Sequence, residues 1–113
     1  MNRRRPRRLA RRYGCFRLPR VPGARRVAQA KRGDVGWLAR TDVDAREVEF
    51  SEHWNRLTPA AKKHIALHEQ AHLKTSEKHD AAFYKALWAL VEKHRVPWKV
   101  VAELESYNCH AKH

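Results

Sequence analysis

Apolar positions along this chain follow two periods. Up to about residue 51 they fall in short runs or in alternation, and beyond residue 58 they recur every three or four positions. In REVEFS (46–51), Val48 and Phe50 point one way and Glu47 and Glu49 the other, which predicts a strand with one covered face. VGWLAR (35–40) reads as a second strand, with TDVDA as the turn between them. RRVAQAK (25–31) alternates only weakly, and its Ala, Gln, Arg and Lys favour helix, so a short helix is at least as good a reading as a third strand.

Thr58 followed by Pro59 is an N-cap with proline at the first helical position, which predicts a helix running to about Lys74, where KTSEK interrupts it. A second helix is expected from His79 or Asp80, with Phe83, Leu87, Leu90, Val91 and His94 as its stripe. Pro97 opens a third, with Trp98, Val101 and Leu104 facing the core. The expected fold class is α+β: a small antiparallel sheet of two or three strands packed against three helices.

Charge divides the chain in two. The net charge is +13, and residues 1–32 carry thirteen Lys or Arg and no acid, so residues 33–113 sum to zero. We read residues 1–20 as a basic tail and 21–113 as one domain. Arg3, Arg4, Arg5, Arg7, Arg8, Arg11 and Arg12 suit a polyanion such as DNA or RNA. A solvated or targeting segment is an equal reading of the same residues.

LARRYGCFRLPRVPG lacks the apolar run of about 7–15 residues that a secretory signal needs. No run of about 18 apolar residues is present to span a membrane. Cys15 and Cys109 are expected as free thiols. The expectation is a cytoplasmic monomer, drawn by its tail to nucleoid or ribosome.

The candidate chemistry is concentrated in KKHIALHEQAHLKTSEKH (62–79), which holds four of the eight histidines. His68 and His72 lie one helical turn apart on one face and can converge on a metal ion. Glu69, beside them, can take a proton from a water held at the metal. This is the HExxH pattern. A shuffled chain of this composition would contain it about 0.04 times, which is low but not negligible, so its weight comes from context: a helix predicted independently by Thr58-Pro59, apolar flanks at Ile65 and Leu73, and His79 beyond. His79, seven residues on and past a polar break, can return a third nitrogen. Three protein ligands and one open position define a catalytic zinc site, one Zn2+ per chain, whereas a structural site closes with four.

His64, one turn before His68, shares its face but has no glutamate beside it, and reads as a neighbour of the ligands or a solvated residue. His53, His94, His110 and His113 are weaker candidates still. A solvated, pH-responsive helix face remains the bland account of the whole cluster.

These residues resemble the small zinc peptidase-like domains of the SprT-like/WLM group, in its compact bacterial and phage form. The resemblance is carried by His68-Glu69-Gln70-Ala71-His72-Leu73, then His79 with Phe83 and Tyr84, and by the approach GWLARTDVDAREVEFSEHWNRLTP. It covers roughly residues 25–107. It implies a minimal zincin-like core, with His68, His72 and His79 as zinc ligands, Glu69 as general base, and the strand at 46–51 as the edge on which an extended peptide aligns. The loop between His72 and His79 is short for the group. Asp80 also stands where a glycine is expected, and it either orients His79 or caps the next helix.

The implied activity is hydrolysis of peptide bonds in a peptide or protein substrate. Tyr84 and His94 are candidate donors to an oxyanion, although Tyr84 is one position off Phe83's stripe. The rival reading is a basic nucleic-acid-binding protein whose zinc is structural or vestigial.

Overall fold

The computed structural model describes residues 17–31 and 35–111, with side chains through Ser106. The candidate tail arginines, Arg3 to Arg12, lie outside the described residues, as do Cys15 and the side chain of Cys109. Three strands, β1 (Arg26–Gln29), β2 (Ala39–Asp42) and β3 (Glu47–Phe50), precede four helices. These are α1 (Glu52–Asn55), α2 (Pro59–Lys74), α3 (Ala81–Lys93) and α4 (Trp98–Ala111). The fold is α+β, a small sheet covered by helices.

The sheet is mixed and not antiparallel throughout, in the order β1-β3-β2. β2 and β3 form the expected antiparallel hairpin, with Thr41 opposite Val48 and Ala39 opposite Phe50. β1, the segment that also read as helix, instead lies parallel to β3, with Val27 opposite Val48. Alternation along one strand says which residues share a face but not which strand is the neighbour or how it runs. β3 takes the centre because Val48 and Phe50 are fully buried. It therefore cannot be the edge expected at 46–51; the edges are β1 and β2, and β2 is the one that lines the cleft described below.

α1 was not among the expected helices. Ser51 caps it by accepting from the Trp54 amide at 3.3 Å, and its buried Trp54 indole donates to the Lys62 carbonyl at 3.2 Å. Thr58 caps α2 in the same way, accepting from Ala61 N. α2 is central and buried on several sides. Ile65, Ala66 and Leu73 pack with Val48, Phe50 and Trp54 in the core under the sheet. Leu67 and Ala71 pack with Phe83, Leu87, Leu90 and Val101 in a second core beneath α3 and α4.

α3 buries Phe83, Leu87, Leu90 and Val91 as their spacing requires, but His94, at its C-cap, is exposed. On α4, Val101 is buried while Trp98, at the outer end of the helix, is 64% exposed. The buried partner of Val101 one turn on is a charged residue, Glu105.

Candidate metal centre

Because α2 lies between two cores, the stripe His64–His68–His72 is also buried, at 0%, 4% and 6% exposure. One helical turn brings the rings of His68 and His72 to 5.0 Å between centroids. The polar segment after Lys74 then turns back. There His72 Nδ1 donates to the Ser76 carbonyl at 2.8 Å, which makes Nε2 the nitrogen that can ligate. His79 follows, and its Nε2 comes to 3.2 Å from His68 Nε2.

Two nitrogens bound tetrahedrally to one zinc at about 2.0–2.1 Å stand about 3.3 Å apart, so this spacing suits a shared ion. One ligand atom from each of His68, His72 and His79 lies within 4.8 Å of the others, and the three residues could hold a metal ion. Phe83, fully buried, is the floor. Its ring lies 4.8, 4.4 and 4.9 Å from those of His68, His72 and His79.

Glu69 is on the neighbouring position of α2 and is 5% exposed. Thr41 on β2 donates to its Oε1 at 2.6 Å. Burial holds the Glu69 carboxyl above its ordinary value, and nearby Glu105 adds to this; the charge of His68 and the Thr41 hydrogen bond pull the other way. Glu69 and the three histidines line a cleft of about 640 Å³, whose far wall is the edge strand β2 with Trp37 and Leu38 before it. The arrangement offers three nitrogens able to hold a metal, a carboxylate that can exchange a proton, and a strand edge along one wall of the cleft.

His64 does not face this cleft. Its Nε2 donates to Glu105 Oε2 at 2.6 Å, and His68 Nδ1 donates to the same oxygen at 3.0 Å. Burial acts to raise the Glu105 pKa, but the hydrogen bonds from His64 and His68 outweigh it and lower the carboxyl to about 2. Asp80 caps α3, accepting from Phe83 N at 3.0 Å. Tyr84 stacks on Trp88 at 5.5 Å and is not among the residues lining the cleft. His94 is likewise away from it.

Sequence reasoning missed Thr41 and Glu105. Nothing marks Thr41, whose role depends on sheet register. Glu105 had a signal: it lies four residues after Val101, on the stripe expected to be apolar.

No family model, curated protein or solved structure matches this chain. Among the described residues no helix is long and apolar enough to cross a membrane. What fold and site define by themselves is a small α+β domain with a three-histidine group able to hold a metal.

Proposed function

We propose that the chain is a zinc-dependent metallopeptidase similar to the SprT-like/WLM group, hydrolysing peptide bonds in extended polypeptide. The observation that carries this reading is the meeting of His79 with the HExxH pair beside a buried glutamate, all on one cleft. His68, His72 and His79 would hold the zinc, which supplies Lewis-acid polarisation of the scissile carbonyl and acidifies the attacking water.

Glu69 would take the proton from that water and pass it to the leaving amine, a role that suits a carboxyl whose pKa burial raises. Thr41 fixes the carboxylate by bonding Oε1. The substrate lies along β2. Leu38 O accepts from Ser51 N, so Arg40 and Asp42 also bond inward, and Ala39 and Thr41 turn their backbone N–H and C=O to the open edge. An extended peptide can pair there by strand addition.

The test compares hydrolysis of an unfolded protein substrate by the zinc-loaded wild type and by Glu69→Gln. We expect turnover by wild type and, in the variant, retained zinc with turnover lost. A variant that keeps both zinc and full turnover contradicts the mechanism.

The nucleic-acid reading is favoured by a separate observation, the thirteen basic residues in 1–32. The two are compatible, with the tail delivering the enzyme to a polyanion.

A further inference from the structure

We infer that Glu105 is a positioning residue for the metal centre, with His64 as the group that holds it in place. The inference deepens the metallopeptidase reading and rests on it.

A single oxygen, Glu105 Oε2, receives two donors from successive turns of α2, His64 Nε2 at 2.6 Å and His68 Nδ1 at 3.0 Å. An ionised carboxylate can only accept, so both ring nitrogens carry the proton. With its proton fixed on Nδ1, His68 keeps its lone pair on Nε2, the atom that faces His79 Nε2 at 3.2 Å. A flipped His68 ring would lose the bond to Glu105 and turn an N–H toward the cluster. The carboxylate therefore selects both tautomer and ring orientation, and it makes the imidazole a better donor.

His64 is fully buried and away from the cleft. Its bond offsets the burial of the Glu105 carboxylate, which His68 alone would have to satisfy. The same three groups lie close enough to be considered as metal ligands themselves. Ligands of one zinc stand about 3.3 Å apart, however, and 2.6 Å is a charge-assisted hydrogen bond. Glu105 also lies 37 residues beyond His68 in the chain, so this contact ties the C-terminal helix to the metal site.

Two measurements test the inference. Long-range proton–nitrogen NMR of the metal-free wild type, at mildly alkaline pH, should find His68 protonated on Nδ1; protonation on Nε2 overturns the proposal. This needs no variant and no activity. Zinc competition against a chelator should then show affinity weakened about 10–100-fold in Glu105→Gln, with unchanged far-ultraviolet circular dichroism.

A smaller loss is expected in His64→Phe, with little further loss when the two are combined, because His64 acts through Glu105. A Glu105→Gln protein with lower thermal stability but wild-type zinc affinity gives Glu105 a structural role only and overturns the inference. A wild type that binds no zinc removes the metallopeptidase reading, and the tautomer of His68 still decides the orienting role. If Glu105→Gln does not fold, that measurement decides it too.

Discussion

Glu69, the proposed general base, illustrates how such a role conflicts with stability. Burial holds its carboxyl above the usual range, so its ionised form opposes folding at neutral pH. The stabilising contribution of its neutral form is fully present below the unfolded pKa and is lost as pH rises through the folded one. Glu69→Gln removes that conflict. The metal-free variant should be more stable than wild type at neutral pH by about 1 kcal/mol in urea titration, while losing turnover.

Thr41 acts in the opposite sense, since its hydrogen bond lowers the Glu69 pKa. Thr41→Val should move the acid limb of the rate–pH profile to higher pH. Glu105 has the opposite sign to Glu69. Its folded pKa is lowered from 4.5 to about 2, so its contribution is present above pH 4.5 and lost as pH falls through about 2. Urea midpoints taken in excess chelator should fall across that window in wild type, and less steeply in Glu105→Gln.

At this scale the sequence was informative about the candidate residues, because helical spacing alone aligns His68 with His72 and sets Glu69 beside them. It was silent on the groups that orient them. Thr41 and Glu105 reach the site through tertiary packing, from 28 and 37 residues away along the chain.

Element boundaries were legible where a cap or proline writes them locally. Thr58-Pro59 starts α2, Asp80 starts α3, and Pro97 precedes α4. The Asp80 cap also fixes the residue after His79, so it bears on the three-histidine group. Asp80→Ala should cost about 1 kcal/mol of stability by thermal or urea unfolding, and it should weaken zinc binding by loosening His79. The sheet was less legible. β1 has weak alternation and helix-favouring residues, and only pairing with β3 makes it a strand. The expected substrate edge at 46–51 failed for the same reason: a strand's position in a sheet depends on partners that its own residues do not specify. Of the two actual edges, β1 and β2, it is β2 that lies across the cleft from the histidines.

For the whole molecule, charge and the candidate metal centre belong to different parts of the chain, since residues 33–113 are neutral and the excess lies in residues 1–32. The structure limits how that division can be tested. β1 lies within the basic stretch and pairs with the central strand, and Val21 is buried at 5%. Removing residues 1–32 would therefore damage the sheet. Removing residues 1–16 should instead leave zinc content and turnover unchanged, and should lower affinity for DNA or RNA with a shallower salt dependence in a binding titration.

The central claim is that the three-histidine group holds a zinc that is open to substrate, and X-ray absorption of the zinc-loaded protein tests it most directly. The account predicts one zinc per chain with three imidazole nitrogens at about 2.0–2.1 Å and one water oxygen. A zinc closed by four protein ligands, or one that survives with full occupancy in His79→Ala, would contradict it.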